Sequence, residues 1–272
     1  APKVGKSLLL LELAAGIATG RPLLGNPATD PTTVLYVDFE NDPKADIRER
    51  LQNMGYGPDD LSRLKLLSFP TMAALDSEKG SLELMAAIHF YGAQVVVIDT
   101  VSRAIAGEEN ENDTWLDFYR HTGLKLKQAG VALVRLDHSG KDETKGQRGG
   151  SAKSGDVDAV WRMSRTTDDL YDLICEANRL PIAERHITIR RTEEPVLQHQ
   201  VVGDGWRAKK DELLDQMRDA GVPKDRDLGL KKARQVARER GVKFKNNVFT
   251  EALWEAYCAQ PGHFISTELG TP

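Results

Sequence analysis

Four short stretches carry side chains that could do chemistry on a phosphate. Gly5-Lys6-Ser7 reproduces the second half of the phosphate-loop pattern G-x-x-x-x-G-K-[ST]. A glycine at position 5 lets the backbone come close to an anion, and successive N–H groups from Val4 to Leu8 can converge on it. Lys6 would reach the β- and γ-phosphates, and the Ser7 hydroxyl could ligate Mg²⁺. The complete pattern calls for a glycine just before Ala1 with an apolar strand ahead of it, so a chain truncated at its N-terminus is expected. About ninety residues on, Asp99 ends an apolar run. A carboxylate there can hold the metal through water, although a strand-terminal aspartate can also simply cap the next turn. Glu40 ends another run and could orient and deprotonate an attacking water. Asp38 and Asp42 compete for that role; alternation puts Asp38 and Glu40 on one face, so the pattern leaves the choice open. His138 ends a third run, where a polar group can feel a γ-phosphate or merely lie on the surface.

These residues become neighbours only if the elements carrying them end at one edge. Leu8 to Ala18 reads as a helix whose N-terminal dipole faces the nucleotide. Apolar runs at 33–40, 64–69, 94–100 and 131–136 read as strands. The helical patterns Lys44 to Met54, Ser81 to Tyr91 and Thr114 to Ala129 lie between them. This alternation predicts a parallel α/β sheet with right-handed crossovers, whose carboxyl ends share one crevice. The short runs 157–163, 170–176, 187–191 and 198–202 predict an antiparallel extension at a sheet edge. From Lys209 the pattern is helical, at 211–220, 228–239 and 247–259. The expected organisation is an α/β domain over 1–205, a small helical domain that suits a helix-turn-helix over 206–262, and a tail over 263–272.

Composition narrows the partners. Lys and Arg number 37 against 41 Asp and Glu, a net charge of −4, which by itself does not suggest nucleic acid. The charge is uneven: Arg207 to Tyr257 holds 13 basic and 9 acidic residues. Lys231, Lys232, Arg234, Arg238, Arg240, Lys243 and Lys245 crowd one helix and its exit against the single acid Glu239, the strongest electrostatic footprint in the chain. A second candidate for nucleic-acid phosphates is the glycine-rich basic stretch from Lys141 to Lys153, with Lys145, Arg148 and Lys153. Either could also be a solvated surface. The two cysteines, Cys175 and Cys258, have no metal spacing and suit a reducing, cytoplasmic compartment. No apolar stretch approaches the length that spans a membrane.

Taken together the chain resembles the RecA-like ATPase fold. More narrowly it resembles the hexameric RepA plasmid helicase and DnaB-type helicases, and the RepA-like ATPases of actinobacteria and their phages. The residues that carry the likeness are Val34-Leu35-Tyr36-Val37-Asp38-Phe39-Glu40, Val95-Val96-Val97-Ile98-Asp99-Thr100 and Arg135-Leu136-Asp137-His138-Ser139-Gly140-Lys141-Asp142. The last continues through Gly146-Gln147-Arg148-Gly149-Gly150-Ser151-Ala152-Lys153 to Trp161. The resemblance implies ATP and Mg²⁺ as cofactors, Gly5, Lys6 and Ser7 as the phosphate loop, Glu40 as catalytic glutamate, Asp99 as metal ligand and His138 as γ-phosphate sensor. It also implies that Gly149 to Asp158 touches single-stranded DNA in the channel of a homo-oligomeric ring. The Lys-x-Arg pair that completes a neighbouring subunit's site reads Ala177-Asn178-Arg179 here, leaving Arg179 as its sole candidate. The family sheet further implies that the strand before the phosphate loop lies beside the Asp99 strand. A replicative helicase is the expected function; a filament-forming recombinase and an ATP-switched DNA-binding regulator are the alternatives.

Overall fold

The computed structural model describes residues 4–137, 155–180, 185–202, 205–244 and 249–259. His138, Lys145, Arg148 and Lys153 lie outside the described residues. The chain divides into two compact units, Ala1–Val202 and Gly203–Pro272.

The first unit begins with helix α1 (Lys6–Thr19), whose N-cap is Gly5. Strands β1 (Val34–Asp38), β2 (Leu64–Ser68), β3 (Val95–Asp99) and β4 (Ala132–Arg135) form a parallel sheet in the order β2-β1-β3-β4. In the central strands β1 and β3 the apolar runs are continuous because helices cover both faces, whereas the outer β2 and β4 are less buried, with Leu66 and Val134 exposed. On one face Val34, Tyr36 and Val97 pack with Leu11, Ala14 and Ala15 of α1. On the other, Leu35, Val37, Val96 and Ile98 meet helix α3 (Glu78–Tyr91) and the helical stretch from α5 (Asn112–Phe118) to α6 (Leu124–Gln128). Helix α2 (Arg48–Asn53), entered through a wide helical turn at Pro43–Ile47, adds Leu51 to the α1 side. A short α4 (Val101–Ala104), which the sequence pattern does not announce, follows β3 directly. The single helix expected from Thr114 to Ala129 is interrupted by a π-helical turn at Tyr119–Gly123.

Helix α3 starts where chemistry provides a cap. Ser77 Oγ accepts from the Gly80 N–H at 3.2 Å and donates to the Ala74 carbonyl at 2.6 Å. Ser77→Ala is expected to cost about 1 kcal/mol, read as a lowered urea midpoint with an unchanged slope. An unchanged midpoint would mean that the hydroxyl holds nothing.

The other four strands correct an expectation. β5 (Ala159–Arg165), β6 (Leu170–Asn178), β7 (His186–Thr192) and β8 (Gln198–Val201) form an antiparallel sheet of their own, in sequence order, rather than an extension of the parallel one. The reason is visible around α1, whose Leu8-Leu9-Leu10-Leu11 run is apolar all round. While Leu10 and Leu11 face the parallel sheet, Leu9 joins Met163, Tyr171, Leu173 and Ile189 of the second sheet. The helix is therefore sandwiched between two sheets. A second correction concerns β3: β1 pairs with one of its edges and β4 with the other, so no strand slot is open beside the Asp99 strand.

In the second unit, α7 (Gly205–Asp219), α8 (Leu230–Glu239) and α9 (Glu251–Ala259) gather a core that includes Met217, Ala233, Ala237, Phe249, Trp254 and Tyr257. The Tyr257 hydroxyl donates to the carbonyls of Met217 at 3.1 Å and Val222 at 2.7 Å. Arg234 is half-buried and donates to the Phe249 carbonyl at 2.9 and 2.6 Å; the Arg238 guanidinium lies 4.8 Å from the centre of the Phe244 ring. Both arginines thus serve this unit's own packing, and Lys231 and Lys232 are exposed on α8. Among the described residues no helix is long and apolar enough to cross a membrane.

Candidate active site

The carboxyl ends of β1, β3 and β4 and the N-terminus of α1 meet in one place. Gly5 has φ 92°, the left-handed region in which a side chain is strained. A Cβ there would meet nothing closer than the Arg191 guanidinium at 4.0 Å, so backbone conformation rather than crowding requires the glycine. From that turn the following N–H groups open α1, and the first helical bond runs from the Leu9 N–H to the Gly5 carbonyl at 3.1 Å. Lys6 Nζ donates to the carbonyl of Asp137 at 2.7 Å, which brings the loop lysine to the end of β4, next to the position before His138.

Asp99 is fully buried and held from two sides. Ser7 Oγ donates to its Oδ1 at 3.2 Å, and Tyr36 Oη donates to its Oδ2 at 2.8 Å. Burial pushes the Asp99 carboxyl above the usual carboxylate range, and the negative charges of Asp38 and Glu40 add to the rise. The hydrogen bonds from Tyr36 and Ser7 oppose it. Burial, reinforced by the Asp99 charge, pushes the Tyr36 phenol far upward, so it stays an O–H donor. The peptide bond Asp99–Thr100 is cis. Thr100 Oγ1 then donates to the Leu136 carbonyl at 2.6 Å and fixes the ends of β3 and β4 together.

The structure separates two carboxylates that alternation leaves tied. Asp38 is buried and its oxygens are spent on the turn that follows. Oδ1 accepts from the N–H groups of Glu40 at 2.8 Å and Asn41 at 2.9 Å, and Oδ2 accepts from the Asn41 amide at 3.0 Å. Asp42 caps the next helical turn, taking the N–H groups of Lys44 and Ala45; these bonds pull its carboxyl below the usual range. Glu40 reaches away from the backbone and lies 3.4 Å from Arg103 of α4, with about a third of its side chain exposed (32%). A hydroxyl and a carboxylate offer hard oxygen donors of the kind Mg²⁺ takes while keeping most of its waters. Among the described residues no group of three or more His, Cys, Asp or Glu side chains forms a metal cluster. Ser7 and Asp99 place two such oxygens side by side and would suit the ion.

Arg179 is exposed; its guanidinium donates to the Gly155 carbonyl, and its N–H to the Asp158 carbonyl at 2.7 Å. The same region is tied down by Arg135 of β4, whose side chain is almost buried. It lies 3.4 Å from Asp137 and 3.3 Å from Asp156, and its guanidinium sits 4.8 Å from the Trp115 ring centre. Arg135 thus links a residue ahead of the basic, glycine-rich segment to a residue after it. Sequence reasoning missed Arg135, Tyr36 and the pair Glu12–His199. Glu12, the lone charge in the apolar α1 run, was the one available signal for that pair. Its Oε1 accepts from the His199 N–H at 2.9 Å, and its Oε2 lies 2.5 Å from His199 Nδ1.

No curated protein matches the sequence. A family model described as an AAA domain matches residues 1–144, the stretch that runs from the phosphate loop through the carboxylates of β1 and β3 to the end of β4 and beyond. That span is more than half of the 272 residues, and the family is one of nucleotide-hydrolysing P-loop ATPases. The chain belongs to this AAA family, AAA_25.

Proposed function

We propose that this ATPase drives movement along single-stranded DNA, as a helicase-type translocase working in replication as a ring-shaped homo-hexamer. One observation carries the reading. The nucleotide end of β4 is joined through Arg135 to both flanks of the basic segment that includes Lys145, Arg148 and Lys153. A change at the phosphates therefore has a short mechanical route to cations suited to a nucleic-acid backbone. In this reading Lys6 holds the β- and γ-phosphates, Ser7 and Asp99 hold Mg²⁺, and Glu40 takes the proton from the attacking water. His138 senses the γ-phosphate, and Arg179 reaches a neighbouring subunit's site. Magnesium, when bound, supplies charge neutralisation on the phosphate oxygens.

A regulator that uses ATP as a switch is the second reading, favoured by the basic α8 of a separate compact unit. The two differ in where nucleotide state is felt. DNA affinity is measured across a salt series in ATP and ADP for wild type, Arg148→Ala with Lys153→Ala, and Lys231→Ala with Lys232→Ala. The translocase reading expects the first variant to lose the ATP-versus-ADP difference, and the slope of log affinity on log salt to shrink by roughly 0.7 per lost contact. Full retention of that difference in the first variant, with its loss in the second, would replace the translocase by the regulator.

A further inference from the structure

Tyr36 lies in the interior of the sheet, 1% exposed, with its ring in the cluster that Leu10, Leu11 and Ala14 of α1 form with Val97. Its hydroxyl is the only polar atom of the side chain, and it points along the sheet to the neighbouring strand, 2.8 Å from Asp99 Oδ2. Asp99 offers its other oxygen, Oδ1, to Ser7. The two oxygens are thus divided: one is fixed from inside the fold and the other faces the phosphate loop. A carboxylate attached by a short side chain can rotate about its terminal torsion, which is soft. A donor on one oxygen removes that freedom at little entropic cost, because the phenol itself is already immobilised by packing against the helix that starts at the phosphate loop. Burial adds a second effect, since a carboxylate taken from water needs a donor to remain charged.

From this we infer that Tyr36 is a positioning residue for the magnesium carboxylate: its hydroxyl holds Asp99 with Oδ1 turned toward Ser7, where the ion of the ATPase site would bind. The inference rests on the reading of Ser7 and Asp99 as the metal pair. It also explains why an aromatic with a polar tip stands where Val34 and Val97, its neighbours on the same face, are purely aliphatic. Outer partners of metal ligands commonly change metal affinity by about 10–100-fold when removed. Phenylalanine keeps the ring and its packing and deletes only the donor, so it isolates the hydrogen bond.

The test is a Mg²⁺ titration of ATP binding, followed with a fluorescent ATP analogue, on wild type, Tyr36→Phe, Asp99→Asn and the double variant, with thermal unfolding of each as a measure of fold. Tyr36→Phe is expected to raise the half-saturating Mg²⁺ concentration about tenfold while leaving ATP affinity in chelator unchanged. In the Asp99→Asn background the same change should add nothing to the Mg²⁺ dependence, because the oxygen it orients is gone. The double variant leaves no buried charge without a donor, so it supplies a folded reference even where Tyr36→Phe alone is weakened. A Tyr36→Phe protein with wild-type Mg²⁺ dependence would overturn the assignment, whatever its thermal stability, and so would an equal effect in the Asp99→Asn background. Wild type that binds ATP with no Mg²⁺ dependence would overturn the metal pair itself, and the positioning role with it.

Discussion

Glu40→Gln is expected to keep ATP bound and to lose steady-state turnover by about 10²–10⁴-fold, the usual share of a positioned general base. Glutamine keeps the shape and the polar tip but cannot take a proton. The cradle formed by Gly5, Lys6 and Ser7 is untouched by the change, and the Glu40 side chain is about a third exposed. Its contact with Arg103, 3.4 Å away with the arginine two-thirds exposed, contributes little to stability, so folding should be nearly unaffected. Asp38→Asn is the informative comparison. Asp38 anchors the turn that aims Glu40, through the N–H groups of Glu40 and Asn41, so its loss should lower thermal stability together with activity. Phosphate release, ATP affinity and unfolding temperature on the two variants decide the matter. A Glu40→Gln protein that hydrolyses ATP at the wild-type rate would remove Glu40 from the chemistry.

The part of this site that could be read from residue order is the part that depends on local pattern. The eight strands of the described residues lie within a few residues of the apolar runs that predict them, because period and β-branching mark a strand wherever it ends up. The convergence of Ser7 and Asp99, 92 positions apart, follows from a topological rule about carboxyl ends of parallel strands. What the pattern could not carry is decided by neighbours. Asp38 and Glu40 are equivalent by alternation, and only the hydrogen bonds drawn by the turn after β1 tell them apart. The antiparallel strands could have extended the first sheet or formed their own. The choice lies in α1, which buries two faces at once, and a run of four leucines does not reveal which sheets those faces meet. Arg234 illustrates the same gap: its charge is legible in the sequence, its use as a bolt to the Phe249 carbonyl is not.

Glu12 is the other position where a single change should have a large effect. It stands in the middle of α1 with 8% of its surface exposed, and the histidine it holds is 4% exposed. One carboxylate satisfies both the backbone N–H of His199 and its Nδ1, so the phosphate-loop helix is fastened to β8 of the second sheet. Glu12→Ala leaves a buried histidine and a buried amide without acceptor, and opens a space beside Tyr171, whose ring centre lies 6.2 Å from that of His199. The expected cost is about 3–5 kcal/mol, the range for removing one partner of a buried pair. Glu12→Gln should recover part of it, since its amide oxygen can still accept one bond. Replacing both partners, Glu12→Leu with His199→Phe, removes the buried polar side chains together. What then remains is chiefly the orphaned amide at position 199, worth roughly 1–3 kcal/mol. Urea unfolding of the four proteins measures these differences. Because α1 starts at the phosphate loop, ATP should raise the midpoint of each variant that still folds. A Glu12→Ala protein as stable as wild type would mean that water reaches His199 and that the two sheets are not joined through this pair.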